Sequence, residues 1–189
     1  MMMETKAEAA FSWRPMMPRD LTTVMAIATR VHSGYFEAAE VFAERLHLFP
    51  AGCWIAEASA MSDAALASCG DSRHQACGYA IMHPARLRQP PALNSLLQQL
   101  DGAANCLYLH DVALMDSARG AGLGRSLMSH LRQVMADADL RYAALIAVNN
   151  SASYWAACGF RISDPDPALK EKLASYDSSA AYMVLEADV

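Results

Sequence analysis

Leu109-His110-Asp111-Val112-Ala113-Leu114-Met115-Asp116-Ser117-Ala118-Arg119-Gly120-Ala121-Gly122-Leu123-Gly124-Arg125-Ser126-Leu127 is the stretch on which the fold turns. Its opening residues read as the end of a strand spanning Cys106 to Met115. Gly120, Gly122 and Gly124 follow. Leu127, Met128, Leu131 and Met135 then keep helical spacing in a helix from about Gly124 to Asp137. A helix leaves its first N–H groups unpaired and partially positive. Glycines there remove side chains that would hold a phosphate away. The segment reads as an anion cradle; the alternative is a tight turn that binds nothing.

Two cradles fail on spacing. The dinucleotide fingerprint G-x-G-x-x-G meets Arg125 where its third glycine belongs. A P-loop needs Lys then Ser or Thr after G-x-x-x-x-G, and the sequence from Gly120 offers no such Gly and Lys.

Working outward, Tyr142 to Val148 is a nearly unbroken apolar run, as in a strand buried on both faces. Ser151 to Cys158 reads as a short helix ended by Gly159, Phe160 to Ile162 as a strand, and Tyr182 to Glu186 as the last strand. Upstream, Phe11 to Arg14 is a strand stopped by Pro15 and Pro18. Asp20 is placed to cap a helix carrying Leu21, Val24, Met25, Ile27 and Ala28. A second helix runs from about Glu37 to His47, followed by strands at Gly52 to Glu57 and Cys77 to Met82. Pro91 to Leu100 is expected to be a short helix with Leu93, Leu96, Leu97 and Leu100 inward. Residues 1–8 read as a flexible tail, Ala58 to Gln75 as a loose hairpin excursion, and 9–189 as one domain.

Of the 189 residues, 54% are hydrophobic and 19% charged, a globular balance that excludes disordered, collagenous and coiled-coil chains. Fifteen Lys and Arg against twenty Asp and Glu give a net charge of -5, and no basic run offers a nucleic-acid footprint. The five cysteines form no C-x-x-C cluster, so no metal site and no disulfide framework is expected. Reduced thiols point to the cytoplasm. The N-terminus has no apolar signal core, and no stretch approaches the roughly 20 apolar residues of a membrane span.

Arg119-x-x-Gly122-x-Gly124 resembles the R/Q-x-x-G-x-G/A pyrophosphate loop of the GNAT superfamily of acyl-CoA-dependent N-acetyltransferases. Two further segments agree in order and distance. Val112-Ala113-Leu114 is similar to the end of that family's fourth strand, and Ser151-Ala152-Ser153-Tyr154-Trp155-Ala156-Ala157-Cys158-Gly159-Phe160 is similar to its F-Y-x-x-x-G-F helix. The resemblance implies a mixed α/β (α+β) domain with a central six- or seven-stranded mixed sheet flanked by helices, and acetyl-CoA as cosubstrate. It further implies that the N–H groups of Gly120, Ala121, Gly122, Leu123, Gly124 and Arg125 hold the pyrophosphate, with Arg119 at the loop's start. The backbones of Val112 and Leu114 would pair with the pantetheine arm, and Leu114 N–H would face the thioester carbonyl. Asn150 would face the pantetheine, with Asn149 a near-equal candidate.

The implied reaction is direct attack of an amine on acetyl-CoA, and an ammonium ion must first lose a proton to a base. His110 stands four residues before Leu114, on the same face of a regular strand. Its unperturbed pKa near 6.5 suits a base, and arylalkylamine acetyltransferases, a branch of the superfamily, carry a His in this register. The alternative is a structural histidine. Tyr108 shares that face, and Asp111 is expected on the other. His32, His47, His74, His83 and His130 read as solvated or packing residues. The family's acid, a tyrosine four residues before the glycine of G-F, is replaced by Trp155. Either Tyr154, about 100° around the helix, takes that role by a local rotation, or solvent does. Tyr35 and Phe36 could wall the acceptor, with Glu37 attracting its ammonium, or could plug a helix junction. The reading is transfer to a small-molecule primary amine. A peptide or protein N-terminus or a lysine is the second acceptor, and a non-catalytic acyl-CoA sensor the rival. Edge strands leave a homodimer open.

Overall fold

A computed structural model describes residues 10–32, 34–59 and 74–187. The expected tail, residues 1–8, and residues 60–73 of the hairpin excursion lie outside them. Seven strands form one sheet in the order β1-β2-β3-β4-β5-β7-β6. They are β1 (Ala10–Pro15), β2 (Cys53–Ser59), β3 (His74–Ala85), β4 (Cys106–Leu114), β5 (Tyr142–Ala147), β6 (Arg161–Ile162) and β7 (Ala181–Glu186). All neighbours are antiparallel except β4 and β5, which are parallel.

Helices cover both faces. On one lie α1 (Leu21–Val31) and α2 (Ala39–Leu48), packing Val24, Ile27, Phe42 and Leu46 onto Ile55, Tyr79, Ile81 and Ala113. On the other lie α3 (Leu123–Asp137) and α4 (Ala152–Ala157), whose cluster holds Leu127, Leu131 and Met135 against Leu107, Leu109, Ala143 and Leu145. The helical spacing of the leucines in α3 thus buries one stripe. Each such leucine contributes about 1.5–3 kcal/mol by leaving water.

Three expectations change. Asp20 does precede α1, but its carboxylate makes no bond to that helix. It accepts instead from Met17 N–H at 2.7 Å and from both terminal nitrogens of Arg14 at 2.7 and 2.8 Å. It therefore closes the 3-10 turn Pro18–Asp20 and ties it to β1.

Pro91 to Leu100 is not a helix, and Leu93 and Leu96 are 37% and 53% exposed rather than inward. Side chains of α2 take the hydrogen bonds a helix would have made. Glu44 accepts from Leu97 N–H and Gln98 N–H, each at 2.7 Å, and the buried Arg45 donates to Ser95 C=O at 2.8 Å. Asn94 and Gln98 accordingly sit at φ of 53° and 64°.

A helix not anticipated from the sequence, α5 (Pro167–Ala174), precedes β7. Its start was legible: Asp166 accepts from Leu169 N–H at 2.9 Å, with Pro167 in the first turn. The Asp-Pro-Asp-Pro run reads as a turn, which hides the buried pair Leu169 and Leu173.

The feature that positions the site is a fork. β4 and β5 pair only at Cys106–Tyr142, Leu107–Ala143 and Tyr108–Ala144. Beyond Tyr108 the two strands part, and a gap opens through the middle of the sheet.

Candidate active site

A cavity of about 870 Å³ fills this gap and reaches both faces of the sheet. Leu114, Leu127, Leu145, Tyr154 and Trp155 line it towards α3 and α4; His32, Glu37, His110, Asp111 and Ile146 line it towards α1 and α2.

The strand edge in the gap carries unused backbone groups. Met115 N–H donates to Cys77 C=O at 2.8 Å, and Leu114 pairs with Gly78 and Val112 with Ala80. In an antiparallel ladder, residues alternate between bonding to the partner and facing away. Leu114 and Val112 are the ones facing away from β3, so their N–H and C=O groups point into the gap.

At its α3 end the cavity meets the glycine loop. After the 3-10 turn Asp116–Ala118, buried Ala118 and Leu123 anchor the loop, and Trp13 Nε1 donates to Leu123 C=O at 3.0 Å. Gly120 and Gly122 have φ of 79° and 80°, where other residues are strained, and the space beside each is open. Ser126 N–H makes the first bond of the helix, to Gly122 C=O, so the N–H groups of Leu123, Gly124 and Arg125 have no partner within it. Arg119 and Arg125 line the cavity at this end. Open space, unpaired donors and two cations fit a pyrophosphate, and the gap-facing backbone of Val112 and Leu114 fits an amide-bearing arm. Of the loop residues named from the sequence, Ala121 alone does not line the cavity.

On the α1–α2 side the strand departs from the expected register. Ile81 pairs with Asp111 and Met82 with Leu109, leaving His110 without a partner on β3. It is the extra residue of a β-bulge, which resets the alternation of side chains. His110 and Asp111 therefore point to the same face, towards α1 and α2, whereas the Leu114 side chain packs with Leu123 on the opposite one. The expectations that His110 shares the face of the Leu114 side chain and that Asp111 lies opposite His110 are both corrected.

The bulge builds two histidine–carboxylate couples side by side. His110 Nε2 lies 2.9 Å from Glu37 Oε2, with side chains only 6% and 5% exposed. Glu37 Oε1 also accepts from Asn94 N–H at 3.0 Å. Glu37 thus ties His110 to the 86–105 segment while still lining the cavity, where its charge is fixed in place. His32 Nε2 lies 2.9 Å from Asp111 Oδ1, and Tyr79 donates to Asp111 Oδ2 at 2.5 Å. Burial would favour neutral Asp111, but His32 and Tyr79 outweigh it and hold the carboxyl below its usual range. Burial likewise works against a charged His32, yet the adjacent Asp111 carboxylate raises its pKa. His32, read from the sequence as solvated or packing, belongs to the site. No sequence signal reveals it, because its partner is turned inward by the bulge.

Burial drives the Tyr108 hydroxyl well above its usual pKa, so it lines the cavity as a neutral donor. Tyr35, Leu93 and Tyr176 complete this wall, while Phe36 points to solvent at 70% exposure. Tyr35 donates to Asp177 Oδ2 at 2.5 Å, and the same oxygen accepts from Asn149 N–H at 3.0 Å. Asn149, not Asn150, lines the cavity, although both occupy left-handed turn conformations.

On α4, Trp155 packs edge-on against Phe160 with centroids 5.7 Å apart and joins the core. Tyr154 is half exposed, and its hydroxyl lies where a Cβ on Gly124 would be, so the third glycine makes room for this tyrosine. Burial, then Cys158, keeps the Tyr154 pKa raised, and the hydroxyl stays protonated at neutral pH.

Among the described residues no three His, Cys, Asp or Glu side chains group as a metal site requires, and no helix is long and apolar enough to cross a membrane.

The forked sheet, bulged central strand and glycine loop define an acyl-CoA-dependent transferase fold. Residues 25–160 match the model of the acetyltransferase (GNAT) family, and the chain belongs to that family; it is an acetyl-CoA-dependent acetyltransferase. No curated protein sequence matches it. Similar solved structures include the NatC complex bound to Gag peptide and CoA, at 14% identity and a TM-score of 0.65, with 95% of this chain and 99% of that one covered. Ard1 from Thermoplasma volcanium gives 14% identity and a TM-score of 0.64 over the same shares. A putative phosphinothricin N-acetyltransferase gives 14% and 0.63, covering 95% of this chain and all of that one. At such identities the likeness shows the fold alone.

Proposed function

We propose that the chain transfers an acetyl group to the nitrogen of a small-molecule primary amine, which enters from the α1–α2 side of the gap. The observation carrying this reading is the bulge, which turns His110 and its partner Glu37 into the cavity opposite the glycine loop. Acetyl-CoA, when bound, supplies an acetyl group activated as a thioester.

Gly120, Gly122, Leu123, Gly124 and Arg125 hold the phosphates through backbone N–H groups, with Arg119 adding charge. Val112 and Leu114 hold the arm along the strand edge. Leu114 N–H, aimed into the gap, is the donor for a carbonyl oxygen gaining negative charge. Glu37 accepts at His110 Nε2 and so selects the Nε2–H tautomer, leaving Nδ1 as the lone pair that takes the amine's proton. Tyr154 holds its proton on the α4 side, where a leaving thiolate needs one, and Trp155 has none to give. Asn149 takes the pantetheine-facing position. The unpaired thiols of Cys53, Cys77, Cys106 and Cys158 support a cytoplasmic setting.

Free-thiol release from acetyl-CoA across arylalkylamines, polyamines, amino acids and short peptides tests the reading. Release dependent on a small amine, with the N-acetyl product identified by mass, is expected. Silence across the panel with CoA binding intact would favour a sensor, and release with peptides alone would move the acceptor to a protein N-terminus.

A further inference from the structure

The charges around the cavity are segregated. Among its described lining residues the arginines, Arg119 and Arg125, stand at the glycine loop, and the carboxylates, Glu37 and Asp111, stand on the α1–α2 wall. An incoming carboxylate on that wall would find a cation only at His32 or His110, since the hydroxyls of Tyr108 and Tyr176 that also line it are neutral. Each histidine already lies 2.9 Å from a carboxylate of the protein, so a third anion would share an imidazole that is spoken for. Two like charges about 5 Å apart in a partly buried site repel strongly, because little water remains to screen them. An ammonium meets the opposite situation, with two fixed carboxylates and the side chains of Tyr35, Tyr108 and Tyr176.

The rest of the wall is apolar. Val31, Leu93 and Ile146 join the three tyrosines, and the Tyr35 and Tyr176 rings lie with centroids 6.0 Å apart. Tyr35 is fixed by Asp177, and Leu93 by the neighbouring Asn94, which donates to Glu37 and whose Oδ1 accepts from Ala38 N–H at 2.7 Å. The surface is preorganised for a body of aromatic size.

Resting on the transferase reading above, we propose that the acceptor is a primary amine on an apolar, aromatic-sized body with no carboxylate beside the nitrogen, and that the Glu37 and Asp111 wall excludes free amino acids. The amine enters as an ammonium and its proton passes to His110 Nδ1. The nitrogen then bonds to the acetyl carbon, and the carbon–sulfur bond of the thioester breaks with its electron pair on sulfur. The thiolate takes a proton from Tyr154, and the nitrogen releases its second proton to solvent, from which Tyr154 regains its own.

Three acceptors sharing one phenyl body test this: phenethylamine, phenylalaninol and phenylalanine, each assayed for N-acetyl product at fixed pH. The expected kcat/KM for phenethylamine and phenylalaninol exceeds that for phenylalanine by at least about 50-fold, and spermidine falls below both neutral-bodied amines. Asp111→Asn is expected to narrow the gap between phenylalaninol and phenylalanine, whatever its effect on absolute rate. Phenylalanine used as well as phenylalaninol overturns the proposal and leaves the acetyltransferase standing. A phenylalanine-led peptide turned over faster than phenethylamine overturns the small-amine reading and the proposal together. No transfer to any acceptor by a protein that still binds CoA does the same.

Discussion

Gly122→Asp is expected to abolish coenzyme A binding, lowering affinity at least about 100-fold, or about 2.7 kcal/mol. Two effects add. Gly122 holds φ of 80°, and a residue with a Cβ pays roughly 1–2 kcal/mol to stay there. The new carboxylate also stands at the mouth of α3, where the unpaired N–H groups of Leu123, Gly124 and Arg125 would otherwise meet a phosphate. Gly122→Asn separates the effects. Asparagine meets much the same left-handed backbone cost as aspartate but carries no charge, so the binding it keeps beyond aspartate measures the repulsive part of the loss. A calorimetric titration checks both, and unchanged affinity in Gly122→Asp would remove the cradle from the mechanism.

His110→Ala is expected to lower kcat/KM for a good amine by about 100-fold at pH 7, within the range general bases contribute, and by much less at pH 9. The sign follows from the acceptor. A primary amine with a pKa near 10.4 is free in only about one molecule in 2,500 at pH 7 and about one in 25 at pH 9. Without His110 the reaction depends on the amine arriving free, so the shortfall shrinks as pH rises. Glu37→Gln should follow the same trend with a smaller loss, because glutamine still reaches His110 Nε2 but holds the tautomer less firmly. A loss equal at both pH values would contradict a base at His110 and leave it a structural residue.

The cofactor side was legible in the sequence because its chemistry is local. Glycine spacing, an apolar strand and a helix start lie within residues 109–127, and backbone geometry follows directly from such patterns. The mixed sheet flanked by helices was legible from the family resemblance, and the family match over residues 25–160 agrees with it. The acceptor side was much less legible. A single extra residue at His110 reverses which side chains share a face, and alternating polarity cannot show where a bulge falls. Once it is placed, Asp111 reaches His32, which lies far away in the chain at the end of α1. The 91–100 segment misled for a related reason. Its leucines keep helical spacing, but Glu44 and Arg45 of α2 satisfy its backbone instead. Helix α5 was missed because its capping aspartate and proline also signal a turn.

The central claim is that cosubstrate and acceptor approach through opposite faces of the forked sheet and meet between Leu114 and His110. A crystal structure of the protein with CoA and phenethylamine tests it most directly. The expected result shows the pyrophosphate on the N–H groups of residues 120–125 and the amine nitrogen within hydrogen-bond reach of His110 Nδ1, walled by Tyr35, Tyr108 and Tyr176. An amine bound on the α3–α4 side, or a pyrophosphate away from the glycine loop, would contradict it.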